Sequence, residues 1–356
     1  MISAFLYKYI YLLIVTVLTL AVIKYRKSLK TNEGLTGSVL LCLFLVFFIG
    51  LRPVSGIYFV DTANYANWWG MFSWNGFDWG TGNKIFDNIY NYMGSVFPDT
   101  TEFFVLIASI YFFCMLIACR KFFPSNTLIA FLVCLAAFST FSYATNGIKA
   151  GAATSLFLVA LAYRDRIWIS ILFLFFSWGF HHSMQMPVVA YLLTFVFRNK
   201  KWYFYGWLFC LLMAVAHVSF FQELFAEVTD ESGAGYLNWE ANDDWGGKSG
   251  FRLDFVIYSA IPVVMGYYVK FKYQLKDELY DTMLYIYLTC NGIWMLCMYA
   301  QFINRIAYLS WFIYPILLVY PCYTIVDENH PLVLVRQKVV LLHLAFTLFM
   351  TLIYYA

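Results

Sequence analysis

Charge is what this chain has least of. Asp, Glu, Lys and Arg make up 12% of its 356 residues, about half the share of a soluble domain. That excludes an ordinary soluble domain. Histidine is scarce too, and the five present lack the spacing of a metal box. The eight cysteines (Cys42, Cys114, Cys119, Cys134, Cys210, Cys290, Cys297 and Cys322) all fall in apolar stretches, none with CxxC spacing. They read as small core hydrophobes, neither metal ligands nor a disulfide framework. Walker loop, GxGxxG, GxSxG and HExxH are all missing, as are heptads and internal repeats. The net charge of +3 implies no nucleic-acid partner.

What fills the chain is apolar: 62% of residues are hydrophobic and 22% aromatic. Repeated greasy runs predict an all-α, polytopic integral membrane protein with about twelve transmembrane helices. The expected spans are 4–23, 35–51, 103–119, 125–142, 150–163, 167–180, 184–197, 202–220, 254–269, 279–298, 306–324 and 339–355. They form a single transmembrane domain over 1–356. Several are short for a hydrocarbon layer of ~30 Å, so those near 150–197 must extend, tilt or re-enter.

Lysine and arginine orient the chain. With the 24–34 loop inside, alternation leaves 16 of the 23 basic residues on the inner side and 13 of the 20 acidic ones on the outer side. Both termini then face out. The first apolar run does not read as a cleaved signal peptide, because its basic cluster, Lys24 to Lys30, follows the run and no small-residue cleavage site is visible.

Two outer loops are long, about 53–102 and 221–253. The first holds two amphipathic stretches, near 62–74 and 84–96, rich in Trp68, Trp69, Trp74, Trp79, Tyr90 and Tyr92. They suit interfacial helices. An aromatic belt and a sugar-stacking platform both fit this composition. The second loop is acidic and glycine-rich, like a mobile lid. Its Asp243-Asp244 pair reads as a solvated turn or as a site for a hard divalent cation.

The rare polar groups concentrate at the outer ends of the spans, where ionisable residues are costly and usually functional. Arg52 ends the second span, and Pro53 stops the helix. Arg52 either snorkels or binds phosphate bidentately. Asp61 follows, as a general base or an arginine partner, with Tyr65 one helical turn on. Asn146 and Lys149 open the fifth span ahead of Gly151 and alanines. A helix N-terminus with a lysine beside it favours an anion. His181 and His182 lie between two spans; on a helix, adjacent histidines would point apart and chelate poorly. Histidine there is a structural group, a base or a neutral donor. Arg305 begins the eleventh span, with Tyr308 nearly a turn later, and Arg252 borders the second long loop. Arg52, Lys149, Arg252 and Arg305 together suit a pyrophosphate.

In this order the chain resembles the EpsG family, bacterial exopolysaccharide and O-antigen polymerases of the Wzy type, from about Leu51 to Pro315. The resemblance rests on Arg52, Asp61 and Tyr65, on Asn146 and Lys149 with Gly151, on His181-His182-Ser183, and on Arg305 with Tyr308. Two positions depart. The family usually has arginine at Lys149, and often an acidic residue where Lys84 opens the second interfacial stretch. The resemblance implies a GT-C-like membrane glycosyltransferase at the outer face of the bacterial inner membrane. Its substrate would be an undecaprenyl-pyrophosphate-linked oligosaccharide, and its partners membrane lipids and a chain-length regulator. The resemblance also implies a reaction without a cofactor or nucleotide sugar, and usually without a metal. Arg52, Lys149, Arg252 and Arg305 would hold pyrophosphate, and Asp61 or His181 would act as base. Tyr65, Asn146, His182 and Tyr308 would orient sugar. A lipid-linked glycan flippase, an O-acyltransferase and an O-antigen ligase are the alternatives.

Overall fold

The computed structural model describes residues 2–25, 30–72, 74–218, 220–221, 250–300 and 303–354. Asp243, Asp244 and most of the second long loop lie outside the described residues. In chain order the α-helices are α1 (Leu6–Tyr25), α2 (Thr31–Gly50), α3 (Val60–Asn67), α4 (Lys84–Val96), α5 (Thr101–Phe122), α6 (Thr127–Leu135), α7 (Thr140–Thr145), α8 (Ile148–Ala162), α9 (Ile167–Phe180), α10 (Gln185–Val196), α11 (Lys200–Val215), α12 (Leu253–Tyr267), α13 (Glu278–Leu296), α14 (Ile303–Trp311), α15 (Tyr314–Thr324), α16 (Pro331–Leu334) and α17 (Arg336–Phe349). Among the described residues there is no β-strand. Of the two amphipathic stretches of the first long loop, that near 84–96 is helical as α4, and that near 62–74 is helical only as far as Asn67, in α3.

Among the described residues, six helices can cross a bilayer by length and composition: Leu6–Tyr25, Thr31–Gly50, Thr101–Phe122, Leu253–Lys272, Asn304–Thr324 and Arg336–Tyr354. Helices α8 and α9 are shorter, 15 and 14 residues. At 1.5 Å per residue they cover roughly 22 Å, less than a full hydrocarbon layer. Six of the about twelve expected spans are thus matched, among the described residues, by helices of spanning length. The span expected at 125–142 is broken into α6 and α7. Its break leaves carbonyls at the end of α6, which a buried helix must satisfy. Three side chains do so, two of them from remote elements. Tyr11 donates to Leu135 O (2.7 Å), Thr140 to Cys134 O (2.6 Å), and His343 Nε2 to Val133 O (3.1 Å).

The chain divides into two compact units, Met1–Gln185 with Val319–Ala356, and Met186–Leu318. In the first, α8 is the central helix and almost every residue on it is buried. Its small residues permit close packing. A Cβ on Gly151 would lie 2.7 Å from the Tyr143 carbonyl oxygen, and one on Gly50 of α2 would lie 2.8 Å from Val105 Cα on α5. Ser177 of α9 donates to Ala153 O on α8 (2.7 Å). In the second unit Asn291 on α13 is wholly buried. It accepts from Trp207 of α11 (2.8 Å) and donates to Ser259 of α12 (3.0 Å) and Ser310 of α14 (3.1 Å). Four helices are thus tied through one amide.

Candidate functional site

Arg52 lies just beyond the end of α2 and is only 5% exposed. Its guanidinium has two arms for two jobs. Nη1 donates to Ile49 O (2.7 Å), a carbonyl the helix end leaves open, and Nη2 donates to Thr145 O (3.2 Å) in the last turn of α7. The plane lies 4.8 Å from the centre of the Phe104 ring and 5.7 Å from that of Phe59, within cation–π range. Burial pushes its pKa down to about 9, still above neutral pH, so the group is charged. Nε is buried without a hydrogen-bond partner, and among the described residues no carboxylate pairs with Arg52. The expected partnership with Asp61 is therefore not made. Beside Arg52 is a small cavity lined by Phe104, Ile107, Tyr111, Tyr143 and Ile148.

The turn that Arg52 holds carries the next two candidates. Asn146 ends α7, and its Oδ1 is buried with no hydrogen-bond partner among the described residues. Lys149 stands in the first turn of α8. Its Nζ lies 2.9 Å from Asp87 Oδ1, 4.9 Å from the centre of the Phe86 ring and 5.7 Å from that of Tyr65. Asp87 is not among the residues that the sequence pattern singles out. Lys84 opens α4, whereas the carboxylate sits three positions later, still in the first turn. There it also accepts from Asn83 N (3.0 Å). The acid in the first turn of a helix was the available signal. Lys84 instead donates to the carbonyls of Trp79 (2.7 Å) and Thr81 (2.8 Å).

Asp61 and Tyr65 share a face of α3, one turn apart. Asp61 is half-buried in the helix's first turn. The Tyr65 carbonyl accepts from Tyr90 OH (2.6 Å). Burial pushes Tyr90 up to about 12, which keeps it a phenol and a donor.

The histidines do not sit on one helix. His181 is extended (φ −150°, ψ 116°) at the end of α9, and His182 begins a short 3-10 turn. Their rings consequently lie side by side, 5.3 Å apart and 16° from parallel, which overturns the expectation that they point apart. Their tautomers follow from backbone donors, since an N–H can only donate. Ser183 N donates to His181 Nδ1 (3.2 Å), so neutral His181 carries its proton on Nε2. His182 N donates to Asn83 Oδ1 (3.2 Å), which identifies that atom as the amide oxygen. His182 Nδ1, 3.3 Å from the same oxygen, must then be protonated, leaving Nε2 as an acceptor.

The first unit therefore connects Arg52, the Asn146 turn, Lys149, Asp87, Asn83 and His182 through direct contacts, with Tyr65 against Lys149. The remaining candidates belong to the second unit. Arg252 precedes α12 and forks onto Asp254 through Nε (2.9 Å) and Nη2, with its guanidinium carbon 3.8 Å from the centre of the Phe255 ring. Arg305 is exposed on α14. Tyr308 is buried on the same helix, its ring centre 5.4 Å from that of Trp311. Among the described residues, no group of three or more His, Cys, Asp or Glu comes together.

A family model described as the EpsG family matches residues 36–356 of this chain. No curated protein and no solved structure matches it.

Proposed function

The chain belongs to the EpsG family, and from that premise we propose that it is a Wzy-type polysaccharide polymerase of the bacterial inner membrane. It transfers a growing glycan from undecaprenyl pyrophosphate to the non-reducing end of a lipid-linked repeat unit at the outer face. The observation that carries the reading is the family match, which spans most of the chain. The buried Arg52, bonded to Thr145 O at the end of α7 just ahead of the lysine-bearing α8, supports it.

The chemistry assigns the roles. The acceptor hydroxyl oxygen forms a bond to the donor's anomeric carbon as the bond from that carbon to the diphosphate oxygen breaks. The electron pair leaves on the diphosphate, and the hydroxyl proton passes to a base. Fixed cations stabilise such a leaving group strongly where water is scarce. Arg52, with Nε unused, and Lys149, at a helix N-terminus whose N–H groups favour anions, are the diphosphate ligands. Lys149 exchanges Asp87 for phosphate on binding. In the second unit, Arg252 and Arg305 suit phosphate by residue chemistry alone. Asp61 is the first choice of base. Of the two histidines, His182 presents a lone pair and is the better acceptor, whereas His181 presents N–H and orients or donates. Tyr65, Asn146 and Tyr308 orient sugar.

Arg52→Ala and Arg305→Ala each abolish long-chain polymer in cells while the protein still inserts and accumulates. Polymer of normal length from both variants would remove the clamp.

A further inference from the structure

The aromatic residues of the first long loop are not accounted for by the clamp. Trp79 is 61% exposed, yet the backbone beneath it is pinned. Asn88 on α4, only 2% exposed, receives Asp78 N on Oδ1 (2.8 Å) and returns a bond from Nδ2 to Asp78 O (2.8 Å). Gly80 N donates to Asp78 Oδ1 (2.7 Å), and Lys84 holds the carbonyls of Trp79 and Thr81. Gly76, at φ +106°, supplies a backbone turn that a side chain would resist. Phe77 lies beside Trp79, ring centres 4.6 Å apart. A second pair, Trp74 and Tyr92 (5.6 Å), joins α4 one turn past Asn88, about 6 Å along its axis. The opposite side of α4, with Phe86, Tyr90 and Met93, is buried.

We propose that Trp79 with Phe77, and Tyr92 with Trp74, form a carbohydrate-binding platform that holds the glycan chain. Sugar C–H groups carry partial positive charge and pack on the electron-rich aromatic face. Preorganisation lowers the entropic cost of binding, and a tryptophan that merely floats in lipid needs no pinned backbone. A polar group stands among the rings: Asp78 is exposed. Charge argues against an anionic bilayer as the occupant. Residues 53–102 hold five acids (Asp61, Asp78, Asp87, Asp99 and Glu102) and one base, Lys84, the reverse of a segment drawn to anionic lipid. That the glycan is the growing polymer rests on the polymerase reading; that the platform binds carbohydrate does not.

The test uses the full-length protein in phosphatidylcholine nanodiscs, titrated with polysaccharide released by mild acid from cells carrying it. The wild type binds. Trp79→Ala weakens binding about tenfold, the loss of one stacked ring. Trp79→Phe keeps most of the affinity, and Asn88→Ala weakens binding although Trp79 remains. In cells Trp79→Ala shortens the polymer length distribution. If the Trp79 and Asn88 variants bind as the wild type does, or if the wild type does not bind, the platform is overturned. It is overturned equally if Trp79 fluorescence is quenched by brominated lipid and indifferent to polysaccharide. A wild type that binds through Trp79 but makes no polymer overturns the polymerase reading and leaves the platform standing.

Discussion

Lys149 Nζ and Asp87 Oδ1 meet at 2.9 Å, 62 residues apart in the chain. The pair joins the start of α8 to the first turn of α4. Both side chains are partly exposed, so the pair contributes little to stability, about 1 kcal/mol or less. Its weight falls on position. Asp87→Asn lowers thermal stability in detergent by no more than that amount and reduces polymer formation at least tenfold. The comparison of melting curve with polymer yield checks it, and equal small effects on both would reduce the pair to scaffolding.

Arg52 acts through its fork. One ammonium cannot reach both Ile49 O and Thr145 O as the two Nη atoms do. Arg52→Lys keeps the charge and loses one charge-assisted bond, worth about 1.5–3 kcal/mol. Activity of the purified lysine variant falls about 10- to 100-fold. A lysine variant of wild-type rate would show that charge alone suffices.

Two glycines predict opposite rescue behaviour. A Cβ on Gly50 meets Val105 Cα, a backbone atom, at 2.8 Å; a Cβ on Gly179 meets the end of the Ile85 side chain at 2.5 Å. Each alanine variant overpacks its helix contact, typically at 1–3 kcal/mol. Val105→Ala does not rescue Gly50→Ala, because the obstructing atom remains. Ile85→Ala, which removes both Cγ1 and Cδ1, does relieve Gly179→Ala. Unfolding midpoints of the single and double variants decide both.

Asn83 immediately precedes α4 and holds His182 by its backbone and ring. Asn83→Ala removes the bond that keeps His182 protonated on Nδ1, and His182→Ala removes the ring. Acting on one network, the two losses are not additive. The double variant is about as active as the worse single variant. Activity losses that multiply would place the two residues in separate roles.

The membrane class was legible because long apolar runs have only one physical use. The grouping of Arg52, Asn146 and Lys149 was legible because charges at membrane depth are rare enough to stand out. The break between α6 and α7 was not. No glycine or proline marks residues 136–139, and the carbonyls it opens are satisfied by Tyr11 and His343, far away in sequence. Asp87 was hidden for a related reason: its partner is 62 positions off, and an acid near a helix start has an adequate local explanation. The histidine tautomers required backbone geometry that no spacing rule contains. The aromatic stretches disclosed two helices but not the Asn88 pin, because a buried asparagine and an exposed one look alike in sequence.

The most direct measurement is a product ladder. Purified protein in nanodiscs receives synthetic undecaprenyl-pyrophosphate-linked repeat units and no nucleotide sugar, and the glycans are sized on a gel. Growth in steps of one repeat unit, with release of one undecaprenyl pyrophosphate per step, is the predicted result. Substrate that crosses the bilayer unextended, or stays a single repeat unit throughout, would contradict it.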